Sequence, residues 1–548
     1  MIRRRCSFPV LAVLLSVALM GAACGGDDNK TTSSGTTTSG GKVAENMVVG
    51  TTESLQNSFD PAEAYDFFGF EVVGNTAETL VTYAPKAATV SPLLAASMPE
   101  VSPDGLTYTF ELRKNVTFHD GTKLDSAAVK FSLERARDFG AKDSEAAGFL
   151  LSGISSIDTP SPTAVVIHLD KPNVAFLARL AYTVASIVSP TAYKANVLAG
   201  SEAADSPAVT AKYKTDTIVG SGPYKLVSYK EKESLELEAN PDYWGDAPKT
   251  KRILIRLFDK SSALKLALDN SEIDIAFRSL QPDENNSFKD KPGFKLVEGD
   301  GPGIRYITFN VTTKPFDDVN MRRAVAAAVD RKAVVDEVLK GTGKALATMV
   351  PPPFPGSKAS WTDQYGATAS KANVDKYLTA AGVPAGQKVA LDFWFSPTHY
   401  GDTEAAVAQV IARSLEDSGR FTVKISNVEW AEYGLKRKAG EMPIFLMGWF
   451  PDYLDEDDYL EPFADPSIFD PAKWNDAKML DLVHKQQAEL DTAARTGIIK
   501  QAQDYMADQA PYVPVFQISQ FAAMKDTVSG VVLDPIQLLR LWLVSKEG

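Results

Sequence analysis

What most restricts this chain is the way two periodicities take turns along it. Short runs that alternate apolar and polar residues, the signature of half-buried strands, recur between stretches whose apolar residues fall at helical spacing. Tyr108, Phe110 and Leu112 alternate with Thr107, Thr109 and Glu111, and a tight turn at Asp120-Gly121 leads to a helical face carrying Val129 and Leu133. Tyr224 to Tyr229 and Ser234 to Ala239 read as a hairpin after a Gly-Ser-Gly-Pro turn, Lys251 to Phe258 as a further strand, Ser261 to Leu268 as a helix and Ile273 to Phe277 as a strand. A chain punctuated this way folds as α/β with mixed sheets.

The pattern starts again near Gly301. RYITFNV reads as a strand, and Asp317-Asp318 stands before a helix with Met321, Ala324, Val325 and Ala328 on one face. Val389 to Phe395 and Phe421 to Val428 read as strands on either side of an amphipathic helix, Ala405 to Ser418. Two large α/β bodies are therefore expected in the 548 residues, a length that allows several domains. At the front of the first body, Met47 opens a strand, Asp60-Pro61 a loop, and Phe70, Val73, Ala77 and Leu80 one helical face. The loop after such a strand is where α/β proteins place ligand contacts.

The first 42 residues are an address and a leash. Arg3, Arg4 and Arg5 precede an apolar run from Val10 to Met20 that is too short to span a bilayer, and Gly21, Ala22 and Ala23 follow. Residues 1–23 read as a secretory signal. Cleavage would expose Cys24, the layout of a lipobox, although Gly21 stands where an aliphatic residue is usual. A diacylated Cys24 would tether the protein outside the membrane. Residues 24–42 contribute no side chain worth burying and read as a flexible tether.

Composition removes several function classes. The net charge of −13, without a basic stripe, argues against nucleic acid. Cys6 and Cys24 are the whole cysteine complement, so the body has neither a disulfide framework nor a thiolate zinc site. His119, His168, His399 and His484 stand without metal-binding spacing, and His119 beside the Asp120 turn reads as structural. There is no GxSxG elbow and no HExxH, and GDGPG at residues 299–303 lacks the spacing and lysine of a phosphate loop. No catalytic residue, metal site or cofactor is assigned; a carboxylate pair of the glycosidase kind is the enzyme reading left open.

Residues 445–463, FLMGWFPDYLDEDDYLEPF, are the segment most suited to hold a ligand. Gly448 permits close backbone approach, Trp449 and Phe450 offer apolar surface, and Asp452 can pair with a cation. Asp455, Glu456, Asp457 and Asp458 read as a solvated acidic run starting a helix, without the spacing of a calcium loop. Tyr65, Phe67 and Phe68 could wall a cleft from the opposite body. Asn310 at the end of RYITFNV could bond a ligand backbone, with a turn role as the alternative, and Trp394 and His399 are weaker candidates.

Six short segments, in order, resemble family 5 of the bacterial extracellular solute-binding proteins, which serves peptide and nickel importers. They are the Asp60-Pro61 loop, Asp104-Gly105 through Arg135, Gly220 to Trp244, Thr308 to Arg331, Gly448 to Phe463 and Ala502 to Pro514. The resemblance implies a two-lobed, hinge-linked fold of the periplasmic-binding-protein kind. Lobe I would combine residues 43–90, 207–298 and 517–548 with an extra domain at 91–206, and lobe II would be 299–516. It further implies a monomeric lipoprotein that binds a peptide or another small solute and delivers it to the transmembrane subunits of an ABC permease. Asp452 matches the aspartate that relatives use for a peptide's amino terminus; Pro451 replaces their usual alanine. A nickel-type chelate receptor, a secreted hydrolase, and an adhesin or sensory subunit on the same fold are the competing readings.

Overall fold

The computed structural model describes residues 44–140, 147–195, 216–397 and 399–547. The signal, Cys24 and the tether lie outside the described residues. Ten strands, in an order far from that of the chain, build one mixed sheet. In chain order they are β1 (Asn46–Thr51), β2 (Tyr224–Lys230), β3 (Ser234–Ala239), β4 (Arg252–Leu257), β5 (Ile275–Phe277), β6 (Phe294–Phe309), β7 (Val389–Phe395), β8 (Phe421–Asn427), β9 (Ile444–Trp449) and β10 (Tyr512–Lys525). Across the sheet they run β8-β7-β9-β6-β10-β5-β1-β4-β3-β2, and Gly343–Ala345 adds an eleventh strand on β10.

The sheet is really two, joined by β6 and β10. The first half of β6, Phe294 to Asp300, pairs with Lys525 to Ser519; the second half, from Ile304 to Thr308, pairs with Gln517 to Tyr512. Register slips between Asp300 and Ile304. That slip is the GDGPG segment of the sequence, where Gly303 lets Ile518 and Phe450 approach within 2.6 Å and 2.9 Å of the space a Cβ would fill. On one side β5, with β1 beyond it, attaches to the far half of β10; on the other β9 attaches to the far half of β6. The molecule is two α/β bodies threaded on two strands.

Hydrophobic burial follows the same division. One cluster draws on residues from Ile304 to Phe516, among them Trp361, Phe393 and Phe463. A second takes residues from Ala62 to Ile187 and covers a four-stranded sheet formed by Glu100–Val101, Thr107–Glu111, Ala164–Leu169 and Ile154–Ser161. A third lies between β1, β4, β5 and α1 (Phe67–Thr76). Tyr453 and Leu454, which sit between residues of the first cluster in sequence, are buried in the second. Burying a Leu or aromatic side chain contributes about 1.5–3 kcal/mol, so this crossing fastens one body to the other.

Local chemistry sets the helix boundaries. Asp66 caps α1 by accepting from Gly69 N–H at 2.7 Å. Asp318 caps α3 (Val319–Ala328) through Asn320 N–H, the role its position in the acidic pair suggests. α2 (Ser126–Gly140) and α4 (Glu404–Asp417) lie where the periodicity places them. Helix α1 stops earlier than its periodicity suggests: Ala77 is extended, and Leu80 belongs to the chain leading into the strand Val81–Tyr83. Asn75 and Thr76 end it by bonding back to the carbonyls of Glu71 and Val72, while Asn75 also reaches the Leu539 carbonyl. The Asp60-Pro61 loop is pinned from beneath, since Arg135 of α2 donates to both Asp60 oxygens, at 2.7 Å and 2.5 Å, with Asp60 fully buried.

Candidate functional site

Strand β9 ends at Trp449, and the loop that follows is folded by its own carboxylates. Trp449 Nε1–H donates to Asp458 Oδ2 at 3.1 Å, and the Asp452 backbone N–H donates to the same oxygen at 2.9 Å. This bend holds Asp452 against the opposite body, where Tyr65 Oη–H donates to Asp452 Oδ2 at 3.0 Å. The other oxygen, Oδ1, has no hydrogen-bond donor among the described residues. Burial pushes the Asp452 carboxyl up to about 7, against the pull of the Tyr65 hydrogen bond and the Arg179 guanidinium. Asp458 is raised for the same first reason, and its neighbour Asp452 adds to the effect.

The acidic run that reads as solvated in the sequence is buried instead. It forms a short 3-10 helix, Glu456–Tyr459, capped by Asp455, and Asp457 is fully enclosed. Its partners explain why: Arg179, from the short helix Phe176–Arg179, donates to Asp457 at 2.8 Å and reaches Glu461 as well. Tyr453 Oη–H and Gln487 Nε2–H also donate to Asp457, both at 3.0 Å, and Arg495 holds Asp455. Carboxylates enter a protein interior when charge and donors meet them there.

Gly448 is needed for a cation. Arg305 stands opposite it in register on β6, and its guanidinium lies over the Gly448 Cα: a Cβ there would come within 2.8 Å of Arg305 Cζ and 3.0 Å of Tyr400 Cε1. Arg305 pairs with buried Glu404 of α4 at 3.1 Å and sits 3.9 Å above the Tyr400 ring and 5.2 Å from that of Phe450. Phe450 meets Phe67 of the other body edge to face, centroids 4.7 Å apart. Tyr65 and Phe67 of one body thus meet Asp452 and Phe450 of the other where the two bodies touch.

The remaining candidates fall elsewhere. Trp449 offers no open face: it is buried against Phe463 and Phe469, and it acts on the cleft through Asp458. Phe68, one residue past Phe67, turns into the third cluster against Phe59 at 6.0 Å. Asn310 is a turn residue, its Oδ1 accepting from Thr312 and its Nδ2–H donating to the Gly440 carbonyl. Six residues of strand put it on the order of 20 Å from Ile304 at the cleft. Trp394 lies on β7 in register with Phe445, packed on the core of its own body. His399 is exposed and stacks on Trp430 at 3.5 Å. His119 bonds the Gly222 carbonyl, within the loop that supports it. Sequence reasoning missed Arg179, Arg305 and Tyr400 as neighbours of the site, because each is brought there by long-range pairing, and it read Asp458, which is local, as solvated.

Among the described residues no group of three or more His, Cys, Asp and Glu is arranged to hold a metal ion, and no helix is long and apolar enough to cross a membrane. What this junction offers chemically is a buried carboxylate with one oxygen that no described residue donates to, beside aromatic rings, an arrangement able to pair with a cationic group.

Residues 89–470, well over half of the chain, match the family described as bacterial extracellular solute-binding proteins, family 5, middle region. The di/tripeptide-binding protein 1 of Pseudomonas aeruginosa is 28% identical over 529 residues, covering 92% of this chain and 94% of that one. Among solved structures, the periplasmic binding protein DppA of Helicobacter pylori in complex with the peptide STSA superposes with a TM-score of 0.78 at 24% identity, over 92% of this chain and 99% of that one. NikA of Staphylococcus aureus in complex with Ni(L-His)2 reaches 0.73 at 17% identity, over 92% and 100%. The two-lobed architecture is therefore shared across proteins whose guests differ.

Proposed function

The chain belongs to family 5 of the bacterial extracellular solute-binding proteins, and on that premise we propose that it is a non-enzymatic receptor for short peptides with a free amino terminus. The observation that carries the reading is Asp452: a carboxylate 5% exposed, with one oxygen bonded to Tyr65 of the opposite body and the other without a donor. A peptide ammonium placed on that oxygen would make a charge-assisted hydrogen bond in a poorly hydrated cleft, where such bonds are strongest. The relative from P. aeruginosa, whose name states di/tripeptide binding, supports the same class of guest.

On this reading lobe I comprises residues 43–90, 207–298 and 517–548 with the extra domain 91–206, and lobe II residues 299–516; β6 and β10 are the hinge. The lobes close on the peptide, and the closed form docks on the transmembrane subunits of an ABC permease. The receptor is a monomer, exported through residues 1–23 and held at the outer face of the membrane by a lipid on Cys24. Retention of the Cys24→Ala variant in the membrane fraction would sink the anchoring claim.

Titration calorimetry with alanyl, leucyl and phenylalanyl di- and tripeptides tests the central claim. Free-amine peptides are expected to bind and their N-acetyl forms to bind poorly, and Asp452→Asn is expected to remove the difference. Equal affinity of free and acetylated peptides would refute the assigned role of Asp452. Binding of a nickel–histidine complex with no response to any peptide would move the reading to a chelate receptor.

A further inference from the structure

Residues 173–179 of the extra domain form a projection set by local bonds. Ala175 N–H donates to Asn173 Oδ1 at 2.9 Å, Phe176 N–H to the Asn173 carbonyl at 3.1 Å, and Arg179 N–H to the Ala175 carbonyl at 3.0 Å. Phe176 fastens this turn to the four-stranded sheet by packing edge-on against Tyr108, centroids 4.8 Å apart. The backbone of Arg179, at the end of the helix Phe176–Arg179, is thereby fixed.

The groups that receive its side chain all belong to residues 453–487. Arg179 Nη2 donates to Asp457 at 2.8 Å and also bonds Glu461, and the guanidinium lies 5.2 Å from the Tyr453 ring. Gln487 completes the receptacle by donating to Asp457 at 3.0 Å and to Glu461 at 2.8 Å. Beside it, Val174 N–H donates to the Gln487 carbonyl at 3.0 Å. Among the described residues, Val174 and Arg179 make the hydrogen bonds between residues 91–206 and 299–516. Asp457 is fully buried and Arg179 nearly so. A buried ion pair adds little net stability, because desolvation offsets the attraction, whereas removing one member is costly. Its effect is geometric: only one approach of the two bodies brings Arg179 between Asp457 and Glu461.

We propose that the extra domain is a catch that closes the receptor on itself: Arg179 enters the receptacle of Asp457, Glu461 and Gln487 with no guest present, and so fixes the closed arrangement that a guest then occupies. The contacts at Asp452 and Phe450 come from a different segment of lobe I, Tyr65 and Phe67, so the catch touches no guest. A contact of that kind alters affinity only through the fraction of protein in the binding-competent state, which scales every guest by one factor. Preference among guests is left to the residues around Asp452. The inference rests on the lobe boundaries proposed above, and not on the peptide reading.

Small-angle X-ray scattering of the empty protein reads lobe separation without a label. The empty wild type is expected to give the compact profile of the closed structure, and empty Arg179→Met to be expanded while keeping the far-ultraviolet circular dichroism of wild type. In calorimetry the variant is expected to bind alanyl, leucyl and phenylalanyl dipeptides at least tenfold more weakly, by one common factor, since the pull of Arg179 on the Asp452 carboxyl acts on all three alike. Glu461→Gln keeps the arginine and removes one of its carboxylates; it is expected to expand the empty protein to a lesser degree, and it decides the matter if Arg179→Met fails to fold. An empty wild type that contracts on adding peptide, or an empty Arg179→Met as compact as wild type, would overturn the catch. So would a loss of affinity that differs among the three dipeptides. Binding of no peptide, with the empty wild type compact and the variant expanded, would overturn the peptide reading and leave the catch intact.

Discussion

Gly448→Ala is expected to destabilise the second lobe out of proportion to the single methyl added. The new Cβ would lie 2.8 Å from Arg305 Cζ and 3.0 Å from Tyr400 Cε1, whereas carbon contacts settle near about 3.5–4.0 Å, so the guanidinium must retreat by roughly 1 Å. It has nowhere to go without loss. Its Nε is bonded to Glu404 at 3.1 Å, Nη2 points to the Tyr400 carbonyl at 3.3 Å, and the Tyr400 ring lies 3.9 Å below. Overpacking of a core costs about 1–3 kcal/mol, and a lengthened hydrogen bond to a charged group forfeits part, about 1 kcal/mol, of its roughly 1.5–3, so a combined loss of about 2–4 kcal/mol is expected. If lobe II, about 200 residues, melts as a unit with an entropy of roughly 2.1 cal/mol/K per residue, its transition falls by about 5–10 °C. Scanning calorimetry of the ligand-free protein reads this directly. Gly434→Ala is the control: Gly434 lies inside the helix Trp430–Ala439 with open space where its Cβ would go, and there alanine should stabilise by about 0.5–1 kcal/mol. A Gly448→Ala transition within 1 °C of wild type, roughly the scale on which such scans resolve a lobe this size, would refute the close packing of Arg305 on Gly448.

Asp60→Ala should cost about 3–5 kcal/mol in chemical denaturation, because it removes the carboxylate that holds the buried Arg135 guanidinium, 3% exposed, at 2.7 Å. Affinity for free-amine peptides should fall about tenfold per unit as pH drops below about 7, because the ammonium requires an ionised Asp452 and must displace its proton; N-acetyl peptides should show a flat profile. Tyr65, Tyr182, Arg179 and Asp458 face that carboxyl, and all keep their charge state across this range except Asp458, which burial also raises. Stability of the empty protein should run the other way. A carboxyl raised on folding binds more protons folded than unfolded, so this contribution is full below about 4 and is lost as pH climbs to about 7. Tyr65→Phe removes the hydroxyl that bonds Asp452 at 3.0 Å and should move the midpoint of the affinity profile up by about one unit, since a bond of this kind contributes about 1–2 kcal/mol; an unmoved midpoint would deny that hydroxyl any hold on the carboxylate.

The strands were legible because their signal is local. Tyr108, Phe110 and Leu112 sit on one buried face of Thr107–Glu111 and the strand it enters, and the pair Tyr224–Lys230 and Ser234–Ala239 is the hairpin that its turn residues announce. Asp452 stood out as a candidate because glycine, aromatics and a carboxylate adjoin in sequence. The environment of that carboxylate was not, since Asp457 reads as a surface acid until Arg179, 278 residues away, is brought beside it. Phe67 and Phe68 could not be told apart, because neighbours at a helix start point in different directions and only the fold decides which one faces the core.

Tyr453 and Leu454 belong by sequence to one half of the molecule and pack in the interior of the other, with the Leu454 amide donating to Tyr83 Oη at 2.9 Å. Prising the halves apart would expose both side chains to water, at about 3–6 kcal/mol for the two. That toll is levied whether or not a passenger is aboard. Cargo then sets only the last part of the barrier to release, and whatever machine empties this vessel must first pull a hydrophobic plug that the vessel itself supplies.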